Sequence, residues 1–225
     1  MDSHGEIIIG YWNIRGLGRP ILLLAEYLKV PHEYKAYEEG DAPEFSKDSW
    51  LIEKNSLGLA FPNLPFLIDG EYKLTESFAI MDYLARKFKP ELLGETTEEQ
   101  STVAMLVGVV AHAKRECATP CYTQSDVNLV VDKTIDALES ISSYLADKTY
   151  LLGDKLTHVD FFVFEMLEAA FALGAKQKIE EKYPNFVEYH KRFREMDELK
   201  IFYENEKYKN QLFNMKSAPI NAKGE

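Results

Sequence analysis

The segment Leu57–Ile80 constrains the fold of this chain more than any other stretch of the sequence. Within it, Pro65 opens a short apolar run that ends at Asp69-Gly70, a dipeptide typical of a tight hairpin turn. We therefore expect Glu71–Leu74 to return as a second, antiparallel strand. Proline gives no amide to a sheet, so Pro65 is expected at the start or edge of its strand, with either a trans or a cis peptide bond.

The hairpin leads directly into a predicted helix. Thr75-Glu76-Ser77 precedes apolar residues at helical spacing. The first amides of a helix are unpaired and lie at its positive dipole end, so they attract anions. A carbonyl beside a cis-proline can also accept a hydrogen bond from a peptide amide. The segment therefore predicts a site for a small, acidic, peptide-like molecule.

The bulk composition excludes several classes of protein. The chain has 225 residues, enough for two modest domains or one large domain, and a net charge of −11. This negative charge argues against nucleic acid and anionic membranes as partners. No apolar run reaches the ~18 residues of a membrane span, and residues 1–12 show no secretory signal. Cys117 and Cys121 are expected to be reduced, which indicates a cytoplasmic location. The five histidines are scattered and no metal site is expected.

The first part of the chain alternates predicted strands and helices. An apolar β-branched run, a helix with proline in its first turn and an alternating strand precede the hairpin. The predicted elements are Glu6–Tyr11, Arg19–Leu28, His32–Tyr37 and a short helix within Ala42–Glu53. With the hairpin and the helix after it, the order is β-α-β-α-β-β-α, which indicates an α/β domain.

The remainder is predicted to be helical almost throughout. Residues 88–91 break the pattern, and helices are then expected from Thr96 to Tyr122, over Asp126–Asp147, after Thr157 and over Pro184–Met196. Thr157 as N-cap, Asp160 three residues later and Leu156 before the cap form a capping signature for a helix that is apolar nearly all round. The tail Asn214–Glu225 is polar and is expected to add little to the core. The fold class is α/β plus all-α.

The chain resembles the cytosolic glutathione S-transferases, and the mu class most closely. Four spaced blocks carry the resemblance: Gly10–Leu17, Gly40–Leu51, Leu57–Gly70 and Leu74–Ser77. It implies a thioredoxin-like glutathione-binding domain over residues 1–88, a linker over 89–95 and a helical-bundle domain over 96–225 that contributes the electrophile site. It also implies a cytoplasmic homodimer that conjugates glutathione, its co-substrate, to soft hydrophobic electrophiles in detoxification, without a metal.

Tyr11, at the end of the first predicted strand, is where this family places its catalytic hydroxyl. An alkyl thiol with a pKa near ~8.5 is mostly protonated at pH 7, whereas the thiolate is the nucleophile. A neutral hydroxyl that donates a hydrogen bond to the sulfur favours the charged form. The alternative is a tyrosine that only packs at the end of a strand.

The resemblance also assigns the groups that would hold glutathione. Ser77 and Glu76 match the site of the γ-glutamyl end, and Trp50, Lys54 and Lys47 match the site of the glycine carboxylate. Glu76 replaces a glutamine that is usual in the mu class, and lysine replaces an arginine at position 47, so a point charge replaces a bidentate clamp. The full predicted set for glutathione is Tyr11, Trp12, Lys47, Trp50, Lys54, Asn63, Leu64, Pro65, Glu76 and Ser77.

The electrophile is expected to meet Trp12, Leu17, Arg115 and Tyr122. Arg115 and Tyr122 are seven residues apart on one helix and share a face. Arg115 falls where an apolar residue is common, and His112 falls where the mu class has an aspartate that reaches the partner subunit. Phe61 matches the apolar residue that this class inserts between subunits.

Two other functional readings are compatible with parts of this pattern. A non-catalytic binding or structural protein could keep the fold and lose the residues that bind and activate glutathione. This chain keeps Tyr11, Trp50, Lys54 and Ser77, which argues against such a protein. An isomerase or a peroxidase would use the same thiolate and an identical glutathione site. We therefore expect an enzyme that conjugates glutathione. Isomerase or peroxidase activity is the alternative, and only the acceptor cavity distinguishes it from conjugation.

Overall fold

The structure is a computed structural model of the chain, and it describes residues 6–223. Its sheet has the order β2-β1-β3-β4, with β2 parallel to β1 and the other two pairs antiparallel. The four strands are β1 (Ile7–Trp12), β2 (His32–Tyr37), β3 (Phe66–Asp69) and β4 (Tyr72–Thr75). The predicted hairpin is confirmed. Its turn is shifted by one residue, because Asp69 pairs with Tyr72 and leaves Gly70, with φ of +60°, and Glu71 as the two-residue loop.

Three helices accompany the sheet: α1 (Arg19–Tyr27), α2 (Asp48–Leu51) and α3 (Ser77–Phe88). Pro20 lies in the first turn of α1, where its missing amide costs nothing. α3 buries Ile80, Met81 and Leu84 completely. The short helix predicted within residues 42–53 is a single turn, because Pro43 and the bends around it keep the preceding residues irregular.

The helical part begins after a 3₁₀ turn at Pro90–Leu93 and contains α4 (Thr97–Thr123), α5 (Val127–Leu145), α6 (His158–Ala172), α7 (Lys176–Lys182), α8 (Asn185–Arg194) and α9 (Lys200–Glu204). Thr96 and Glu99 form a reciprocal capping box at the start of α4, where the sequence predicts a helix to begin. The helices predicted near residues 126–147 and 184–196 are confirmed. α7 and α9 were not predicted, because helices this short show too little periodicity. The linker at 89–95 remains a prediction.

α6 lies at the centre of the helical part. Phe161, Phe162 and Phe164 are fully buried, which explains why this helix is apolar on every side. Its capping box is formed by Thr157 and Asp160, as predicted. None of the helices within residues 6–223 is long and apolar enough to cross a bilayer.

The prediction that the tail from Asn214 adds little to the core is wrong. Met215 and Ala218 are each only 7% exposed. Backbone hydrogen bonds hold the segment in place, because Gly16 N–H donates to the Phe213 carbonyl at 3.0 Å and Ile220 N–H donates to the Cys121 carbonyl at 3.1 Å. Main-chain pairing therefore helps to order this polar segment. The prediction about a secretory signal falls partly on residues 1–5, and the two predicted domains include residues 1–5 and 224–225. These residues lie outside those that the structure describes.

Candidate active site

Tyr11 lies at the end of β1 beneath the loop that leads to α1, and it is only 6% exposed. Two glycines allow this loop to approach the ring. A Cβ atom on Gly16, whose φ is +41°, would lie 2.6 Å from the Tyr11 hydroxyl oxygen. A Cβ atom on Gly18 would lie 2.5 Å from the ring carbon Cδ1. The glycines of this loop therefore serve a close backbone approach to Tyr11.

The Tyr11 hydroxyl accepts a hydrogen bond from the Leu17 amide at 3.1 Å. Burial raises the pKa of Tyr11 well above its usual value, and the Leu17 amide only partly opposes this effect. Tyr11 is therefore neutral at physiological pH and keeps its proton for donation. A neutral donor is the group that stabilises a thiolate without a second charge.

The pairing register brings three segments to the same end of the sheet. Gly10 pairs with Phe66, and Phe66 pairs with Thr75, so the next residues in register are Tyr11, Pro65 and Glu76. The Leu64-Pro65 bond is cis, one of the two forms expected. The backbone N–H and C=O of Leu64 form no hydrogen bond with residues 6–223, and Asn63 beside it is exposed. These backbone groups remain free to pair with a ligand.

α3 begins at this end of the sheet with its first amides unpaired. The first helical hydrogen bond runs from Ile80 N–H to the Glu76 carbonyl at 2.9 Å, so the amides of Ser77, Phe78 and Ala79 have no backbone acceptor in the described chain. Glu76 has φ of +73°, which is uncommon for a residue other than glycine and concentrates at functional sites. Ser77 is buried and Glu76 is exposed. The arrangement suits a carboxylate at the helix start.

Two lysines flank Trp50 on the segment that contains α2. Trp50 is 4% exposed and stacks on Phe66, with ring centroids 6.0 Å apart. Lys47 is exposed and Lys54 is partly buried, and neither forms an ion pair or a side-chain hydrogen bond with the rest of residues 6–223. These cations therefore have no protein partner to displace before they bind an anion.

The residues predicted to meet an electrophile are only partly brought together. Tyr122, near the end of α4, is close enough to Tyr11 to contribute to the rise in the Tyr11 pKa, and the Leu17 amide donates to the Tyr11 hydroxyl. Trp12, next in β1, has its ring edge-to-face with Tyr37 at 6.5 Å. Arg115 and His112, both singled out by the sequence, are exposed and form no side-chain contact with the described residues that would tie them to Tyr11.

Sequence reasoning missed the contribution of the tail to this region. The Met215 amide donates to the Tyr122 hydroxyl at 3.0 Å. Ser217 is bound to Glu39, which is 5% exposed, through its amide at 3.1 Å and its hydroxyl at 2.8 Å. The tail is thus fixed to both the α/β part and α4. Its only sequence signal is the isolated apolar residues Met215, Ala218 and Ile220, which have no clear periodicity.

Comparisons with known proteins identify the family. The family model described as "Glutathione S-transferase, N-terminal domain" matches residues 8–86, and that of the C-terminal domain matches residues 115–206. The chain is 38% identical to glutathione S-transferase Mu 4 of Rattus norvegicus over 197 residues, which cover 86% of this chain and 88% of the relative. The chain belongs to the glutathione S-transferase family. The resemblance inferred from the sequence is thereby confirmed.

Other relatives of this glutathione S-transferase agree. Mu 1 of Bos taurus is 37% identical and the match covers 90% of this chain and 92% of the relative. The crystal structure of the glutathione S-transferase Blo t 8 is similar with a TM-score of 0.80 at 30% identity, covering 95% of this chain and 99% of that structure. The predicted fold class, a thioredoxin-like domain followed by helices, is confirmed, and the protein is an enzyme of this transferase family.

Proposed function

We propose that glutathione lies across the sheet end formed by Tyr11, Leu64-Pro65 and the start of α3. The γ-glutamyl carboxylate is assigned to the amides and hydroxyl at Ser77, and the ligand ammonium to the exposed Glu76 carboxylate. The cysteinyl backbone is assigned to Leu64, with Asn63 and Pro65 beside it. The observation that carries this proposal is that the unpaired groups and the Tyr11 hydroxyl lie in adjacent register at one end of the sheet.

The glycine carboxylate is assigned to Lys47, Lys54 and the indole N–H of Trp50. The lysines supply charge, and the packed indole supplies a fixed donor. Both lysines are unpaired within the described chain, so their charge is available to the ligand. Lysine holds a carboxylate as a point charge, so orientation depends more on Trp50 than it would beside a bidentate arginine.

Tyr11 is assigned as the catalytic residue. Its neutral hydroxyl donates a hydrogen bond to the glutathione sulfur, which stabilises the thiolate and releases the thiol proton to solvent. The thiolate then attacks an electrophilic carbon and a sulfur–carbon bond forms. The electron pair of the bond that breaks at this carbon either departs with a leaving group or is taken up by a proton. The enzyme contributes position and charge stabilisation, which are the terms that lower the barrier.

The acceptors are proposed to be soft hydrophobic electrophiles, and the role detoxification in the cytoplasm. Leu17, Tyr122 and Trp12 supply an apolar and aromatic wall, which the tail at Met215 extends. Arg115 is exposed on the helix that carries Tyr122, and its charge would favour acceptors with an anionic group. The mu-class relatives, at 37–38% identity, support conjugation over other thiolate reactions.

The protein is further proposed to act as a homodimer. Phe61 is 77% exposed in the loop before β3, which is unusual for an aromatic ring without a partner. Insertion into an apolar pocket on a second copy would bury it. Met105 on α4, 52% exposed, offers an apolar surface on the helical part.

The proposed reaction is tested by turnover with glutathione and a chlorodinitrobenzene-type acceptor. Conjugation with saturation by both substrates is expected. A binding protein would be favoured if the chain binds glutathione but turns over none of three acceptors: this one, an unsaturated ketone and a hydroperoxide. Turnover on the hydroperoxide alone would favour a peroxidase.

A further inference from the structure

The single turn of α2 carries groups on which the proposed glutathione site depends. Trp50 within this turn and Lys54 shortly after it are assigned to the glycine carboxylate of the ligand. A helix of one turn is not stable through its own hydrogen bonds, so contacts with the rest of the chain must hold these groups in place. One such contact is solvent-exposed, and it runs from the Ser49 hydroxyl to the Glu38 carbonyl at 2.6 Å.

Glu53, which lies between Trp50 and Lys54 in the chain, ties this segment to strand β2. Its Oε2 accepts a hydrogen bond from Lys35 Nζ at 2.7 Å, and its Oε1 accepts one from the Tyr37 hydroxyl. Lys35 and Tyr37 are two residues apart in β2, so their side chains lie on the same face of the sheet. Burial alone would raise the pKa of Glu53, but these two hydrogen bonds outweigh it and lower the pKa. Glu53 is therefore ionised at neutral pH, with both oxygens engaged.

The backbone links Glu53 to both groups that are assigned to the ligand. The Trp50 carbonyl accepts hydrogen bonds from the Glu53 amide at 3.2 Å and from the Lys54 amide at 2.9 Å. A shift of Glu53 would therefore displace the turn that carries Trp50 and Lys54. The Glu53 carboxylate pairs with Lys35, whereas Lys54 has no ion pair within residues 6–223. The segment is thus anchored through Glu53, and the charge of Lys54 stays available.

Tyr37 also packs against the Trp50 ring and so restricts its orientation. Both residues are buried, and their rings lie edge-to-face with centroids 5.2 Å apart. Phe66 contacts both rings, because its centroid lies 6.2 Å from that of Tyr37 and 6.0 Å from that of Trp50. The indole N–H of Trp50 donates to no residue in the part of the chain that the structure describes. This donor is therefore fixed in direction and available to a ligand.

We propose that Tyr37 and Glu53 are positioning residues that fix Trp50 and Lys54 for the glycine carboxylate, and that they thereby set the selectivity for glutathione over thiols without this glycine. The inference rests on the binding mode given under the proposed function. Donors that are held in place before binding lose little side-chain freedom when the ligand arrives, so they bind it more tightly. Tyr37 and Glu53 act on the glycine end of the ligand and not on the ionisation of its sulfur.

Calorimetric titration of the full chain with glutathione and with γ-glutamylcysteine, which is glutathione without its glycine, tests the proposal. Tyr37→Phe removes the hydroxyl and keeps the ring, and Glu53→Ala removes the acceptor. In both variants the affinity for glutathione should fall about tenfold, while the affinity for γ-glutamylcysteine stays nearly unchanged. The KM for glutathione should rise by the same factor, with kcat and the pKa of the bound thiol unchanged. Glu53→Gln keeps an acceptor for Tyr37 and should lose less affinity.

Tyr183→Phe is the matched control, because it removes a buried hydroxyl that donates to the Ile135 carbonyl at 3.1 Å in the helical part. It should leave the selectivity between the two ligands unchanged. Lys54→Gln removes a direct ligand contact and should reduce the selectivity. If Lys54→Gln reduces it and Tyr37→Phe does not, or if Tyr37→Phe weakens both ligands equally, the inference alone is overturned. Unchanged selectivity in Lys54→Gln would overturn the assignment of the glycine carboxylate as well.

Discussion

The hydroxyl of Tyr11 shows how burial selects a chemical role for a single residue. The ring lies beneath a glycine-containing loop, and burial raises its pKa, so the group is a proton donor and not a phenolate. The Leu17 amide occupies one acceptor position on the oxygen and leaves the proton free to point elsewhere. Such a donor can stabilise a thiolate, because a hydrogen bond to the charged form favours that form.

Tyr11→Phe should remove this stabilisation with little change in packing. A thiol pKa lowered by ~2 units corresponds to ~2.7 kcal/mol, or about a hundredfold in ionised fraction. Turnover at pH 7 should fall by roughly ten- to a thousandfold and should partly recover at higher pH, while glutathione affinity barely changes. A titration of thiolate absorbance in both proteins measures the cause. Equal thiol pKa values in the two proteins would assign activation to another group.

Lys54→Gln should weaken glutathione binding without altering the thiol pKa. Lys54 has no protein partner in the described chain, so its loss leaves no buried charge behind. The KM for glutathione should rise about tenfold while kcat is nearly unchanged, because the interaction is the same in ground and transition states. Lys133→Gln, an exposed lysine on α5, is the control. A comparable rise in the control would show a general effect of net charge.

At the scale of elements, the sequence was informative where a pattern is local. The hairpin, the start of α3 and the long helices follow from turn residues, capping residues and apolar spacing, and the adjacency of Pro65 and Ser77 follows from the hairpin itself. The tail could not be predicted in this way. Its position depends on main-chain bonds to Gly16 and Cys121 and on the bonds between Ser217 and Glu39, all far away in sequence, and a backbone bond carries no side-chain signature.

The α6 cap is predicted to serve folding and not catalysis. The fully buried Asp160 accepts hydrogen bonds from the Thr157 amide at 2.8 Å, the Thr157 hydroxyl at 2.6 Å, the Leu151 amide at 2.9 Å and the Tyr189 hydroxyl at 2.9 Å. Thr157→Ala should lower the free energy of unfolding by ~0.5–2 kcal/mol. Turnover per folded molecule should be unchanged. Ser143→Ala deletes an exposed hydroxyl on α5 as the control.

Denaturant titration measures the stability of both α6-cap proteins, and an active-site titration gives turnover per folded molecule. Loss of turnover in Thr157→Ala with unchanged stability would contradict a folding role. Equal destabilisation by Ser143→Ala would show that the loss is not specific to the cap.

At the scale of the whole molecule, Glu168 on α6 joins distant parts of the chain. It binds Arg15 after β1, and His190 and Arg194 on α8. Burial alone would raise the pKa of Glu168, but the His190 hydrogen bond and the charges of Arg194 and Arg15 outweigh it and lower the pKa to about 2. The carboxylate therefore stabilises the contact between the α/β part and the helices only while it is ionised.

Acid should remove this stabilisation. The folded pKa lies below the usual value of 4.5, so the contribution is fully present above pH 4.5 and is lost as pH falls toward 2. The difference corresponds to about 3 kcal/mol. The free energy of unfolding should fall less steeply with acid in Glu168→Gln than in the wild type or in Glu188→Gln, an exposed control on α8. Parallel pH profiles would contradict this linkage.

The association of two copies is the remaining question at this scale, and Phe61 tests it. The Phe61 ring is 77% exposed, and the Ile201 side chain on α9 is 78% exposed. Ile201→Ala is therefore a control of nearly equal exposure. If Phe61 enters a pocket on the partner, Phe61→Ala should cost about 3 kcal/mol at the interface and raise the dimer dissociation constant at least a hundredfold. Ile201→Ala should change nothing. Sedimentation at micromolar concentration measures the outcome. A monomeric wild type would exclude the dimer, and a dimer unaffected by Phe61→Ala would place the interface elsewhere.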